Sequence, residues 1–491
     1  MRGRRSRLPL KVRVGAVAGA GFGAAVILAL TAPGWPVPVP VGRTEAPGLH
    51  GTLVRQWAFY MALTVLALAW LGLVHLARTL PGGRRVRLVA VWCIGFVWAV
   101  PLLAAPPLQS RDAYSYVAQG EMAARGFDPS VDGPSVLGDA SFTDRVSLNW
   151  TDSPAPYGPL AFGSGAGLAV ISGHGPDGML AGTKFLAFAG IVLAGACLPV
   201  VARRQGVSPA VAVALGVANP VVMVHLVGGA HHDALVLGLL CAAFALSARE
   251  RRLLALAVAC CAAAVKPTAL VAVFYLGWDW GGAAARSRAR STIAGAGATA
   301  VGLGVYAALA AATATGWGFV GATRSSTAVT TDLSLPQVVA TALDPHPGNA
   351  LLDWSRLVLL VLAGAACLVV WWYAGRLGAL RATGLTLLAI SIGAPVLYPW
   401  YPTVPLGLLA ALALGRWRPA YVVAVLTLAF AMHPGGSGVF AEAGTWRPLL
   451  LALYWVPLLA AVTYGAWPGL RLRLSRARAA LSALATPDVG T

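Results

Sequence analysis

Charged side chains are scarce in this 491-residue chain: Asp, Glu, Lys and Arg together make up 11%, and only 17 residues are acidic. So few polar groups cannot cover a soluble globule of that length, and 58% hydrophobic residues with a mean hydropathy of +0.73 point the same way. Paired cysteines are missing too. All six, Cys93, Cys197, Cys241, Cys260, Cys261 and Cys367, fall in hydrophobic stretches, which argues against a disulfide framework or a cysteine zinc site and for small packing residues. There is no P-loop and no glycine fingerprint in a βαβ context. The chain therefore carries no signature of a domain that binds a soluble nucleotide.

What remains is a polytopic membrane protein. Matching apolar runs to the roughly 30 Å of hydrocarbon gives expected spans at 14–31, 53–76, 88–107, 180–202, 208–227, 233–248, 252–265, 267–281, 291–315, 355–375, 383–398, 402–415, 418–433 and 447–467. Several are short, so the expectation is about 12 to 14 spans, with 252–281 as a shallow hairpin if it does not cross. The run 157–173 holds five glycines and suits a re-entrant or surface segment. The first span follows a basic start, as a signal peptide would. Its apolar run is long and ends in Pro33-Gly34-Trp35-Pro36 without an Ala-x-Ala site, which favours retention.

The basic residues orient these spans. With the amino terminus inside, 26 of the 36 Lys and Arg fall on cytoplasmic loops, giving that rim +23 and leaving −4 elsewhere, which accounts for the net +19. Charge dispersed over many short loops excludes a nucleic-acid interface, which needs one patch. The expected organisation is a basic cytoplasmic segment at 1–13, a transmembrane domain at 14–467 and a basic cytoplasmic tail at 468–491. Long outer loops then lie at 32–52, 108–179, 316–354 and 434–446.

The loop at 108–179 is richest in chemistry. Ser110-Arg111-Asp112-Ala113-Tyr114-Ser115-Tyr116 directly follows a span, and 113–125 reads as an amphipathic helix at the interface. Near a span end, partial desolvation can raise the basicity of Asp112 toward that of a general base; equally, Ser110 or Asp112 can cap a helix. Gly228-Gly229-Ala230-His231-His232-Asp233 opens a later span, Lys266 sits at the hairpin turn, and Arg324 lies in an outer loop. Cations beside backbone amides at a helix start are suited to a phosphate. The alternatives are a metal site or a cap at His231–Asp233, where three consecutive ligands have poor geometry for one ion, and a snorkelling lysine at 266.

With these pieces in order, the chain resembles the actinobacterial polyprenol-phosphomannose-dependent α-1,6-mannosyltransferases of the type C glycosyltransferase superfamily, from about Gln56 to Pro468. The matching motifs are Ser-Arg-Asp-Ala-Tyr-Ser-Tyr-Val-Ala-Gln-Gly at 110–120, Gly126-Phe127-Asp128-Pro129, Ala155-Pro156-Tyr157-Gly158-Pro159-Leu160, Gly229-Ala230-His231-His232-Asp233-Ala234-Leu235, Val265-Lys266-Pro267 and Tyr398-Pro399-Trp400-Tyr401-Pro402. His232 stands where Asn is expected and Ser130 where Tyr is expected, departures that bear on acceptor specificity more than on reaction type.

The resemblance implies an all-α bundle with outer-face catalytic loops, a polyprenyl-phosphate-mannose donor, a mannan or lipoglycan acceptor, and Asp112 as base. Attack in line on the anomeric carbon would invert it. Lys266, Arg324, His231 and His232 would hold the donor phosphate, and Arg111, Tyr114, Tyr157, Asp233, Trp400 and Tyr401 would contact substrate, the aromatics by stacking on sugar faces. No cofactor or metal is required by this scheme. The rival readings are another lipid-linked-sugar glycosyltransferase, arabinofuranosyl or mannosyl, and a transporter or flippase, which would place ionisable groups at mid-membrane and show inverted repeats.

Overall fold

The computed structural model describes residues 9–32, 49–285, 287–315, 317–319, 321–322, 331, 333–344, 348–434 and 455–463. Among them the chain is helical and contains no β-strand. Three long apolar helices come first, α1 (Leu10–Leu30), α2 (Leu49–Thr79) and α3 (Arg84–Ala104), followed by the short α4 (Asp112–Ala124) and α5 (Pro159–Ile171). Then come α6 (Pro176–Arg204), α7 (Pro209–Gly216), α8 (Asp233–Ser247), α9 (Arg252–Val265), α10 (Leu270–Ala285) and α11 (Arg288–Ala312). The remainder comprises α12 (Leu335–Leu343), α13 (Asn349–Trp372), α14 (Ala379–Gly393), α15 (Thr403–Leu409) and α16 (Arg418–Ala429).

Six of these, α1, α2, α3, α6, α11 and α13, are long and apolar enough to cross a bilayer, and a bent pair, Val222–Gly228 with α8, makes a seventh. The protein is thus a polytopic all-α membrane protein, with fewer full-length crossings among the described residues than apolar runs. The other expected spans are there as shorter or broken helices. The stretch 208–227 is divided at Asn219-Pro220, because proline offers no N–H to continue the helix. Its freed carbonyls find side-chain donors: Trp70 Nε1 donates to Ala214 O at 2.7 Å, Asn219 Nδ2 to Leu215 O at 2.7 Å, and the Tyr421 hydroxyl to Leu215 O at 3.0 Å. The expected span 447–467 falls mostly outside the described residues.

Two expectations near the site change. The helix α4 is not a surface amphipath: Ala113, Ser115–Met122 are buried on nearly every side. It is pressed between α5 and α6, and α5, about 20 Å long at 1.5 Å per residue, is too short to cross. Only glycine permits this approach, since a Cβ on Gly120 would fall 2.7 Å from the Gly165 carbonyl carbon. Second, a buried lysine unforeseen in the expected span 180–202, Lys184, caps α3: its Nζ donates to Leu102 O at 3.1 Å and to Ala105 O, where Pro101 has disturbed the helix end. That cap anchors the segment leading to Asp112.

Candidate functional site

The segment 105–111 is fastened at each step. Leu108 N–H donates to Gly228 O at 3.2 Å, and buried Gln109, held at φ 54°, donates from Nε2 to Met432 O at 2.8 Å. A left-handed, fully buried, non-glycine residue persists only where its surroundings over-determine it, and such positions cluster at functional sites. Next, the Ser110 hydroxyl accepts from the Asp112 backbone N–H at 3.1 Å. Capping thus falls to Ser110, and the Asp112 carboxylate is left for other work.

That carboxylate is 17% exposed, with Oδ2 3.6 Å from His231 Nδ1. Burial is the main cause that pushes its pKa up to about 6, and Asp233 adds to it. Hydrogen bonds from Ser110 and Trp150 and the charge of Lys266 act in the opposite direction.

Around it the break between Gly228 and α8, bent by 107°, presents three consecutive side chains in different directions. His231 lies flat on Trp400 with ring centres 3.8 Å apart, and His232 lies flat on Tyr116 at 3.8 Å. Asp233 Oδ1 accepts from Lys266 Nζ at 2.8 Å, and the same ammonium stands 4.4 Å from the centre of the Tyr401 ring. The hydroxyls of Tyr116 and Tyr157 are 3.0 Å apart, and that of Tyr116 is 3.2 Å from His231 Nδ1. Burial, with Tyr157 and Asp112 beside it, holds the Tyr116 phenol well above its usual range, so it is a neutral donor. Tyr398 stacks on the other part of the cluster, 4.6 Å from Trp400.

The motifs that lie apart in sequence are therefore one site. Gly158 closes it: its N–H donates to Val265 O at 2.9 Å, and a Cβ there would lie 2.2 Å from Ala264 O, so only glycine lets the Tyr157 segment reach Lys266. Two buried polar atoms at the centre, His231 Nε2 and Asp233 Oδ2, have no hydrogen-bond partner among the described residues.

Comparison with known proteins shows the family. Residues 14–282 match the family described as α-(1→6)-mannopyranosyltransferase, N-terminal domain, and residues 326–464 match the MptB C-terminal domain. The chain belongs to the α-(1→6)-mannopyranosyltransferase family. It is 30% identical over 423 residues to α-(1→6)-mannopyranosyltransferase A of Mycobacterium tuberculosis, which covers 82% of this chain and 80% of that protein. It is 28% identical over 349 residues to the enzyme A of Corynebacterium glutamicum, covering 66% and 71%. A probable α-(1→6)-mannopyranosyltransferase of Mycolicibacterium smegmatis is 41% identical over 180 residues, 36% of this chain and 32% of its own. No solved structure matches the chain.

Set against this mannosyltransferase family, the candidate residues divide clearly. Asp112, Tyr157, His231, His232, Asp233, Lys266, Trp400 and Tyr401 come together. Arg111 and Tyr114 do not: Arg111 is exposed, and Tyr114 packs under Arg145, 5.7 Å from its ring, which in turn pairs with Asp177 at 2.8 Å. The helical turn that points Asp112 and Tyr116 inward sends residue 114 the other way. Arg324 lies outside the described residues. Three other acids of the loop are engaged structurally: Glu121 with Arg125 at 2.6 Å and His174 at 2.9 Å, Asp128 with the Ser130 N–H at 2.9 Å, and Asp139 with the Ser141 N–H at 3.0 Å. Lys266 is no free snorkelling lysine, being fixed by Asp233 and Tyr401. Sequence reading missed Tyr116, Tyr398, Trp150 and Gln109 as participants. Tyr116 and Tyr398 lay inside quoted motifs; nothing local marked Trp150 or Gln109.

Proposed function

We propose that this chain transfers mannose from a polyprenyl-phosphate-mannose donor to a mannan or lipoglycan acceptor at the outer face of the membrane, forming an α-1,6 linkage with inversion. The observation that carries the reading is the placing of a carboxylate of raised basicity, Asp112, within electrostatic reach of the ammonium of Lys266, in a site walled by Tyr157, Trp400 and Tyr401. A base and a cation so close suit a reaction in which one group loses a proton while another leaves as a phosphate.

In this mechanism Asp112 takes the proton of the acceptor hydroxyl as its oxygen forms a bond to the anomeric carbon. The bond from that carbon to the phosphate oxygen breaks on the opposite face, and polyprenyl phosphate departs with the electron pair. Attack opposite the leaving group inverts the centre. Lys266 keeps N–H donors beyond the one given to Asp233 and meets the growing phosphate charge. His231, His232 and Arg324 complete the phosphate side. Ser110 and Trp150 hold the Asp112 carboxylate in place, with His231 3.6 Å from it, and the aromatic faces orient the sugar rings. Asp233, sharing its charge with Lys266, leaves Oδ2 for a hydroxyl of the transferred sugar.

The arrangement in the membrane is part of the same proposal. Residues 1–13 and 468–491 are cytoplasmic, 14–467 is the catalytic transmembrane domain, and the loops 108–179 and 316–354 are outside. These two loops touch where Gly318 N–H donates to Ser130 Oγ at 3.2 Å, which supports placing them on one face.

Two measurements test the reading. Membranes containing the protein, given radiolabelled polyprenyl-phosphate mannose and a short α-1,6 mannan, are expected to extend the mannan; label incorporated only from the arabinose analogue would overturn the donor assignment. For sidedness, a cysteine at exposed Ser135 should react with an impermeant thiol reagent in intact cells and one at Ser287 should not. The reverse pattern would move the site to the inner face.

A further inference from the structure

Away from the site just described, α14, α15, α16 and residues 455–463 enclose a groove of about 760 Å³. Its walls are apolar by design of the helical repeat. Arg381, Leu385, Leu388 and Ile392 recur every three or four residues along one face of α14, and Tyr421, Ala424 and Leu428 do so on α16. At one end the groove backs onto Pro399 and Pro402, behind Trp400 and Tyr401, and the Ser391 hydroxyl meets Tyr401 O at 3.4 Å. Its other end is charged. Leu409 packs on Gly384, and both Arg381, at the start of α14, and Arg416, in the turn after α15, line the groove. Neither arginine forms an ion pair among the described residues. Arg416 rests over Trp417 at 5.7 Å, and Arg418 adds its charge to Arg78 close by.

We infer that this groove binds an anionic phospholipid, its phosphate on Arg381 and Arg416 and one acyl chain lying along α14. From Arg381 to Ile392 the helix rises about 17 Å, close to the roughly 15 Å that one leaflet contributes to the hydrocarbon core. Uncompensated arginines beside a tryptophan at an apolar mouth match a phosphate head with a chain below it. The alternative occupant, the tail of a polyprenyl donor, would carry its phosphate at the Lys266 end and leave both arginines without an anion. A second apolar groove, of about 810 Å³ between α9, α10 and α11, lacks this feature, because the one arginine among its described lining residues, Arg252, is paired with Glu250 at 3.1 Å.

The test uses the purified full chain in detergent and reads lipid binding, so it stands apart from any assay of sugar transfer. Added phosphatidylglycerol should raise the unfolding temperature and be retained at about one molecule per chain in native mass spectrometry, whereas phosphatidylcholine should do neither. The pair Arg381→Gln and Arg416→Gln should weaken that binding at least about tenfold, as two lost cations near a phosphate imply. Ala424→Trp, which fills the groove, should abolish it while the lipid-free unfolding temperature stays near that of the parent. Equal response to phosphatidylcholine, or undiminished binding by the double arginine variant, would overturn the inference. So would displacement of phosphatidylglycerol by a long-chain but not a short-chain polyprenyl phosphate, which would assign the groove to the donor tail.

Discussion

Asp112→Asn is expected to leave the protein folded in the membrane at near-normal levels and to lower mannose transfer by at least about 10²-fold, the lower end of what general-base catalysis provides. Asparagine keeps the size of the side chain and, because Ser110 supplies the hydrogen bond to the helix start, nothing in the cap is lost. What it loses is the ability to take a proton. The same substitution should raise the thermal unfolding temperature at neutral pH. A carboxyl whose folded pKa is lifted from 3.8 to about 6 favours the folded state in its neutral form, and this advantage fades as pH rises from about 4 to 6. Above 6 the parent holds an ill-solvated charge that asparagine removes. In the parent, kcat/KM should fall about tenfold per pH unit below 6, and the stability difference between parent and variant should shrink over the same descent. Near-normal turnover of Asp112→Asn, or an acidic limb near pH 4, would show that the carboxylate is not the base. Glu121, Asp128 and Asp139 offer no ready substitute, since each is committed to partners already; Asp128→Asn and Asp139→Asn should cost far less.

Removing Lys266 should produce the second large effect, and the pairing with Asp233 shapes how it must be measured. Asp233 is 2% exposed, and stripping a buried acid of its cation costs about 3–5 kcal/mol, so Lys266→Met alone confounds folding with function. The double variant Lys266→Met with Asp233→Asn removes both charges and should recover the folded level. It should still use the lipid-phosphate donor at least about tenfold less well, because a charged hydrogen bond to phosphate contributes about 1.5–3 kcal/mol. Asp233→Asn alone leaves Lys266 its charge and should be the mildest of the three in phosphate binding. If the double variant shows parental donor kinetics, the ion pair is a structural clasp between α8 and the turn after α9, and the phosphate must be met by Arg324 or the histidines. His225, wholly buried beneath His231 with ring centres 6.5 Å apart, should by contrast affect packing more than donor use when replaced.

The sequence by itself determined the class of this protein and the motifs that converge at the candidate site. With so few charges, membrane residence follows from solvation alone, and ionisable residues left among apolar ones mark places where they are used. The motifs around Asp112, Tyr157, His231, Lys266 and Trp400 could be named in advance because each departs from its surroundings. What only the tertiary structure decided depends on contacts between distant residues. Hydropathy reports how apolar a run is, not whether its helix breaks, so the division at Pro220 and the shortness of α5, α14, α15 and α16 had to be seen. A helix buried on all sides and one lying on a surface can share a hydrophobic pattern, which is why the sequence predicts an interfacial α4 whereas the Gly120 and Gly165 contact places it inside. Direction along a helix, too, is local, but what it faces is not: Asp112 and Tyr114 are two residues apart, and only packing shows that one enters the site and the other meets Arg145. Finally, the basicity of Asp112 could be anticipated only in sign, since desolvation is a property of everything packed around a carboxylate, and here that includes Trp150, Asp233 and Lys266, none of them its neighbour in the chain.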